Sequence, residues 1–497
     1  MKLRQLLTFL PRAEVRGSRE VRITGLANHS KAVAPGNLFV ARPGKQTHGV
    51  HYITEALRAG ASAILTDLVD PSLRTVTQIV VPDVVEAEGI LAAAYYHFPS
   101  SELTVFGVTG TNGKSTVTHL IKQLWDQLHP RQLCGLIGTI EHDLGKEKIC
   151  ATSTTPDAIT VQKLMREMRH AGCTACAIEI TSHALDQRRC QMVEVDIALF
   201  TNLTQDHLDY HGTMEAYAKA KSRLFCELGP RPPSPLKNLP KMAISCGDDS
   251  WEPAIVEACS YPCIRYGFGE SCDWKISQVK VTPKGSSCLL AVGKDVLPLH
   301  TQLVGRFNLL NVVAALTAMV AAGHSLPLLL AKLPLLRAPR GRLEPVPCDQ
   351  DRHVFVDFAH TPDALEQVCG TMRELCQGDL WVVFGAGGNR DRTKRPKMAE
   401  AVARYATHAV VTSDNPRLEN PLTIMNEVAA GFPEGFPSRL IVDRREAIEF
   451  ACQQLRPHDL LLIAGKGHES VQQIGTQYFP FQDSTVALQA LGGNVVH

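Results

Sequence analysis

The stretch VFGVTGTNGKSTVT, Val105 to Thr118, decides how the rest of the chain is read. The β-favouring residues Val105, Phe106 and Val108 lead into the glycine-rich turn Gly110-Thr111-Asn112-Gly113. Lys114, Ser115 and Thr116 then open a segment whose apolar residues, Leu120, Ile121, Leu124 and Trp125, recur at helical spacing. A strand, a glycine loop and a helix in that order suit a phosphate. Glycines let several backbone N–H groups converge without Cβ clashes, and the helix N-terminus adds a favourable field. Lys114 would neutralise phosphate charge, and the Ser115 hydroxyl is placed to ligate Mg²⁺. Val108 stands where the fuller pattern has a further glycine, and a glycine turn with a solvated lysine is the plainer alternative.

Working outward, 497 residues exceed one hydrophobic core, so two to four domains are expected, each well supplied by the 44% apolar content. A net charge of +1 offers no basic footprint for nucleic acid. The opening MKLRQLLTFLPRAEVRG has a short apolar run broken by Pro11 and Arg12, with no small-residue cleavage site, and reads as a helix of the first domain. No apolar run is long enough to span a membrane. The 15 cysteines lack framework spacing, which suits reduced thiols in a cytoplasm. Cys173 and Cys176 form a lone CxxC with no second ligand pair of matching spacing, so they read as buried small hydrophobes.

The chain is predicted to be α/β with three domains. Residues 1–100 carry short apolar runs (37–40, 63–65, 79–81) and a helical stretch from Ile53 to Ala59, a small α/β domain whose loops at 28–31 and 42–49 are rich in donors and glycine. Solvated turns and ligand contacts are both open for those loops. Phe98 to Ser101 marks the boundary. Residues 101–336 alternate apolar strands with helices, implying a P-loop-type, mostly parallel sheet with ligands at the carboxyl ends of its strands. Glu179 leaves such a strand. A carboxylate there must be paired or hold a metal, so it is a Mg²⁺ ligand beside Ser115 or a partner of a nearby lysine. Gly229 to Pro240 contains five prolines and reads as an extended loop. Trp274 to Leu303 alternates at period two, a small antiparallel section within this domain, and Gly305 begins an apolar helix through Val320. Residues 337–497 repeat the strand and helix alternation in a Rossmann-like domain, with strands at 354–357, 380–384, 408–412, 440–442 and 460–464. Gly385-Ala386-Gly387-Gly388 matches a dinucleotide fingerprint only weakly, because its glycine spacing is wrong.

TGTNGKST (109–116), HAL-x-Q (183–187), TNLTQDHLDYHGT (201–213), GRFNLLN (305–311), DFAHTPDAL (357–365) and AGKGHE (464–469) resemble, in order and over nearly the whole chain, the motifs of the Mur ligases. These are cytoplasmic ATP-dependent amide-bond ligases of peptidoglycan precursor synthesis. Within the family the resemblance points to the member that joins a diamino acid to the γ-carboxylate of D-glutamate in UDP-N-acetylmuramoyl-L-alanyl-D-glutamate. Asp414-Asn415-Pro416-Arg417 resembles the signature of the meso-diaminopimelate-adding type.

The resemblance implies a role for each matching residue. ATP is expected on Gly110, Thr111, Asn112, Gly113, Lys114, Ser115 and Thr116, with Asn308, Asn311, Arg340, Asp357 and His360 on its adenosine side. Mg²⁺ is expected on Ser115, Glu179, His207 and Lys221. Lys221 matches the family's carbamylated lysine, whose carbamate supplies oxygens where a free ammonium would repel a metal; Lys114, Glu179, His207 and Lys221 form the implied catalytic set. Asn28, Ser30 and the Lys45-Gln46-Thr47 loop are expected around uridine and diphosphate, and Ser153, Thr154, Thr155, Thr181, Gln187 and Arg189 around the muramoyl dipeptide. The chain departs from the pattern at Lys31, where the family has arginine and a bidentate fork is lost. Ser153 stands for asparagine, Thr181 for serine, and Phe358 for the tyrosine before Ala359-His360.

Diaminopimelate differs from lysine by one carboxylate, which a guanidinium reads in fork geometry. Arg390 and Arg417 are therefore expected to choose the amino acid, with Asp414, Asn415, Pro416, Gly465 and Glu469 completing its site. Rival readings are a folylpolyglutamate synthetase-like ligase sharing the TGTNGK loop, a lysine-adding variant, and a nonenzymatic ATP-binding switch. A monomer acting on small molecules in the cytoplasm, with neither nucleic acid nor membrane span, completes the expectation.

Overall fold

The computed structural model describes residues 1–44, 47–226, 237, 239–348 and 351–493. Lys45 and Gln46, together with most of the proline-rich stretch, lie outside the described residues. The chain forms two compact units. The first comprises residues 1–275, 292–294 and 311–329, and the second 276–291, 295–310 and 330–497.

The first unit holds two sheets. Strands β1 (Glu14–Arg16), β2 (Gly25–Ala27), β3 (Asn37–Val40), β4 (Ala63–Thr66) and β5 (Thr77–Val80) pair in the order β1-β5-β4-β3-β2, parallel except at β1. Their core includes Leu38, Val40, Leu65 and Ile79 with Val84, Leu91 and Ala92 of the helix Val84–Tyr95. Asp83 caps that helix by accepting the Glu86 N–H.

The larger sheet is built on β6 (Thr104–Thr109), β7 (Cys134–Ile137), β8 (Glu141–Asp143), β9 (Lys148–Cys150), β10 (Ala175–Glu179), β11 (Ile197–Phe200), β12 (Met242–Cys246) and β13 (Cys263–Gly267). These pair in the order β13-β12-β11-β6-β10-β7-β8-β9, with β13 through β7 parallel. Every residue of β7, β10 and β11 is buried, as the continuous apolar runs require of strands covered on both faces. β6 is central, so the loop after Thr109 and the end of β10 at Glu179 emerge side by side at the carboxyl edge. Cys173 and Cys176 are fully buried with thiols whose pKa burial raises, so the lone CxxC is core.

In the second unit, β14 (Trp274–Thr282), β15 (Gly285–Val292) and β16 (Asp295–Thr301) pair in sequence order through two-residue turns, a connection only antiparallel neighbours permit. The expected antiparallel section is present, but residues 276–291 and 295–310 group with the C-terminal unit rather than the central domain. The reason is packing: Val281, Val304 and Phe307 join the core of Phe355, Leu365, Met372 and Leu462. Strands β17 (Glu344–Val346), β18 (His353–Asp357), β19 (Leu380–Phe384), β20 (His408–Val411), β21 (Ser438–Leu440) and β22 (Leu460–Ala464) pair in the order β17-β18-β22-β19-β20-β21. All but β17 run parallel. β21 starts two residues before the expected 440–442, because its edge pairing registers Ser438 opposite Ala409. A final hairpin joins β23 (Val471–Ile474) and β24 (Gln477–Pro480).

Candidate active site

The helix Lys114–Leu128 begins at Gly113, which is left-handed (φ +88°) and offers no side-chain cap to the first-turn N–H groups. A Cβ at Gly110 (φ +147°) would strike Thr201 Oγ1, and one at Gly113 would strike Asn311 Oδ1, so both positions require glycine. The loop is braced from β11: Asn202 Oδ1 accepts the Asn112 N–H at 2.9 Å, and Asn202 O accepts the Thr111 N–H at 2.8 Å. Lys114 Nζ donates back to the carbonyls of Gly110 (2.9 Å) and Thr111 (2.8 Å), the position from which a phosphate would draw it.

Ser115 Oγ donates to Glu179 Oε2 at 2.9 Å, and both residues are buried. The same carboxylate accepts the Thr139 N–H at 2.8 Å on Oε1 and the Thr139 hydroxyl at 3.0 Å on Oε2. Of the two readings open for Glu179, a lysine partner is not what the structure shows. Its partners are hydroxyls and a backbone amide, an oxygen-rich set that a hard cation fits. Gly138 is held to glycine by Glu179 Oε1, against which a Cβ would collide. Thr154 meets the Thr139 hydroxyl at 3.0 Å, and Thr155 Oγ1 donates to the backbone carbonyl of Glu179 at 2.7 Å, so the expected 154–155 pair lies beside Glu179 without bonding its carboxylate.

Lys221 is fully buried in the helix Met214–Cys226. Its Nζ donates to Gly110 O at 2.8 Å and lies 4.5 Å from the centroid of the Tyr217 ring. Burial, reinforced by the Lys114 charge, holds its pKa well below the usual lysine value. His207, half-exposed and left-handed at φ +53°, stacks edge-on to His183 with ring centroids 4.8 Å apart. Burial and the charges of His207 and His211 lower the His183 pKa to about 4. Among the described residues no group of three or more His, Cys, Asp or Glu side chains is arranged as a ready-made metal site.

Of the expected sugar-nucleotide residues, Asn28, Thr155, Gln187 and Arg189 are linked through hydrogen bonds and an ion pair. Arg189 donates to Thr155 O (2.8 Å) and to Gln187 Oε1 (2.8 Å), and Gln187 Nε2 donates to Tyr210 OH at 3.1 Å. Thr181 caps the following turn through the Ala184 N–H at 3.1 Å. Arg42 donates to Gln187 O at 2.9 Å and pairs with Glu88 at 3.2 Å, and Glu88 also accepts the Asn28 amide at 2.7 Å. Glu88 and Arg42 escaped the reading of the sequence, although Glu88, the second of two glutamates in the otherwise apolar run VVEAEGILAAAY, was a usable signal. Ser30 is buried, Ser153 is half-buried, and Thr47 Oγ1 lies 3.4 Å from Tyr52 OH.

In the second unit, Asp357 accepts the N–H groups of Leu343 (2.7 Å) and Ala359 (2.8 Å), while burial raises its pKa against the opposing pull of Arg342. Phe358 sits under the Arg342 guanidinium at 4.9 Å, with His360 and His468 against its ring. Arg340 and His360 are exposed, and Asn308 is buried with its amide donating to Val304 O at 2.8 Å. Arg417, left-handed at φ +52°, donates from Nη1 to Gly388 O at 2.7 Å. Arg390 is exposed, and a Cβ on Gly387 would meet Arg417 Nη1 at 3.0 Å and Arg390 Cγ at 3.8 Å, so the two arginines flank one glycine. Asn415 Nδ2 donates to Glu469 Oε2 at 2.8 Å. Asp414 keeps one buried carboxylate oxygen without a partner among the described residues, facing Gly465. The residues expected to hold the amino acid are thereby brought together.

Three family models match the chain: Mur ligase family, catalytic domain, over residues 22–96; Mur ligase middle domain over 108–319; and Mur ligase, glutamate ligase domain, over 341–467. The chain belongs to the Mur ligase family. It is 40% identical over 492 residues, 99% of each chain, to the UDP-N-acetylmuramoyl-L-alanyl-D-glutamate--2,6-diaminopimelate ligase of Geobacillus thermodenitrificans. It is likewise 40% identical over 493 residues, 99% of each, to the enzyme of that name from Bacillus licheniformis. A solved structure of a ligase with that name superimposes with a TM-score of 0.70 at 31% identity, covering 98% of both chains. Among the described residues of this Mur ligase no helix is long and apolar enough to cross a membrane.

Proposed function

We propose that this Mur ligase is the cytoplasmic, monomeric enzyme that joins meso-diaminopimelate to the γ-carboxylate of D-glutamate in UDP-N-acetylmuramoyl-L-alanyl-D-glutamate, with ATP converted to ADP and phosphate. Residues 1–100 take the uridine diphosphate, 101–336 the ATP phosphates and muramoyl dipeptide, and 337–497 the amino acid and adenosine. The observation that carries the reading is Glu179, a fully buried carboxylate held on the phosphate-loop hydroxyl of Ser115.

A carboxylate does not acylate an amine at neutral pH, so it must first acquire a leaving group. The D-glutamate γ-carboxylate attacks the γ-phosphorus of ATP, the bond to the β-phosphate oxygen breaks, and an acyl phosphate and ADP form. The diaminopimelate amine then attacks the acyl carbon, phosphate departs, and the amine nitrogen loses its proton. Two anions must approach, so positive charge has to be fixed in advance. Lys114 and the N–H groups at the start of its helix hold the phosphates, and Arg189 faces the dipeptide. Mg²⁺, when bound, supplies further positive charge to the phosphate oxygens. Ser115 and Glu179 would hold one ion, and His207 with a carbamylated Lys221 a second. The depressed pKa of Lys221 favours the neutral amine that carbamylation requires. Gly465 and Glu469, with Asn415 beside them, hold the amino and carboxylate end of diaminopimelate, and Arg390 and Arg417 its distal carboxylate.

The test is ATP-dependent phosphate release. It should require both the UDP-muramoyl dipeptide and meso-diaminopimelate. Release with folate and glutamate, or without substrate dependence, would overturn the reading.

A further inference from the structure

Lys466 follows Gly465 at the end of β22, and its side chain is fully buried, yet no step described above uses it. Its Nζ donates to Asn415 Oδ1 at 3.0 Å and to Glu469 Oε2 at 2.7 Å. Asn415 Oδ1 also accepts the Gln473 N–H at 2.9 Å. Two donors on that oxygen leave the amide one orientation, and its Nδ2 is turned onto Glu469 Oε2. Glu469 Oε2 is thus engaged twice, while the carboxylate as a whole stays about one-third exposed.

We infer that Lys466 is a positioning residue: it sets the Asn415 amide and the Glu469 carboxylate in the single arrangement that receives the amino and carboxylate end of the incoming amino acid. The inference rests on the proposed diaminopimelate site. An ion pair serving the fold alone would need only Glu469. Here the second proton of the ammonium goes to the amide, and that amide carries the constraint on to Gln473 and the final hairpin. Without the lysine, the amide oxygen keeps only the Gln473 N–H to hold its orientation, and Glu469 loses the charge that anchors one of its oxygens.

The experiment is steady-state kinetics of the full chain carrying Lys466→Met, with Lys466→Gln as the second variant. The expected result for Lys466→Met is a fall of tenfold or more in kcat/KM for diaminopimelate, with KM for ATP and for the UDP-muramoyl dipeptide within twofold of wild type. Lys466→Gln, which keeps one donor of similar length, should lose less. An unchanged value for diaminopimelate, equal losses towards all three substrates, or failure of both variants to fold would overturn the inference. Wild-type protein lacking diaminopimelate-dependent phosphate release would instead overturn the proposed function on which it rests.

Discussion

Lys114 and Lys221 meet on one atom: the Nζ of each donates to the carbonyl oxygen of Gly110, at 2.9 and 2.8 Å. Two ammoniums on one carbonyl repel, and among the described residues Lys221 makes no ion pair that offsets its burial. A neutral amine capped by CO₂ resolves the conflict, because the carbamate turns a second cation into an anion beside the first. Carbon NMR with ¹³C-bicarbonate should therefore show a carbamate resonance in wild type that is absent in Lys221→Met. That variant should also lose phosphate release by on the order of a hundredfold, the scale of removing one electrostatic contact to the reacting groups. A resonance persisting in Lys221→Met would reject the assignment.

Glu88 ties Asn28 and Arg42 together from the buried face of its helix, and burial raises its pKa against the pull of Arg42. Asn28 belongs to the expected uridine contacts, and Arg42 reaches on to Gln187, one of the residues proposed to face the dipeptide. Glu88→Ala leaves a guanidinium without its carboxylate and frees the Asn28 amide. KM for the UDP-muramoyl dipeptide is expected to rise on the order of tenfold, the scale of one charge-assisted hydrogen bond. KM for ATP should stay within twofold, and a parallel rise in both would mark a general loss of structure instead.

Much of this arrangement was legible because it is written in short-range chemistry. The glycines of 110–113 and the hydroxyl at 115 announce a phosphate loop, and unbroken apolar runs such as 176–178 announce strands covered on both faces. What escaped was assembled from afar. Thr139 carries no motif, yet it supplies two of the hydrogen bonds on Glu179 because β7 and β10 are neighbours. Lys466 stood in the quoted AGKGHE segment, but nothing local says that its side chain turns under Asn415. The β14 to β16 section reads correctly as antiparallel, whereas its attachment to the C-terminal core depends on side-chain packing that periodicity does not encode.

His324 stacks edge-on with Trp125 at 5.3 Å and lies 5.1 Å from the His129 ring, and among the described residues neither histidine has a partner for its buried Nε2. Burial, then the His129 charge, lowers the His324 pKa below 6.5. The unfolded chain therefore binds this proton more readily than the folded one. Stability from this site is complete above the unfolded value and is lost as the pH falls through it. The melting temperature should drop between pH 7.5 and 5.5, and by less in His324→Gln. An equal drop in both proteins would remove the site from the account.

Arg417, in a left-handed backbone conformation, is held by β23 and the turn after it: its N–H donates to Gln473 O at 3.3 Å and its carbonyl accepts the Gly475 N–H at 2.7 Å. Nη1 is committed to Gly388 O, which fixes the plane of the guanidinium and leaves its other donors for a ligand. A planar fork so constrained suits a carboxylate, and lysine lacks the one that diaminopimelate offers there. Arg417→Ala should reduce diaminopimelate-dependent phosphate release by on the order of a thousandfold or more, the scale on which sites built for a polar group discriminate. ADP affinity, measured by calorimetry, should change less than twofold. Arg417→Lys should recover only part of the loss, because a point charge on a flexible stem restores attraction without the fork. Equal loss of diaminopimelate turnover and ADP binding would show that Arg417 supports the fold and does not read the substrate.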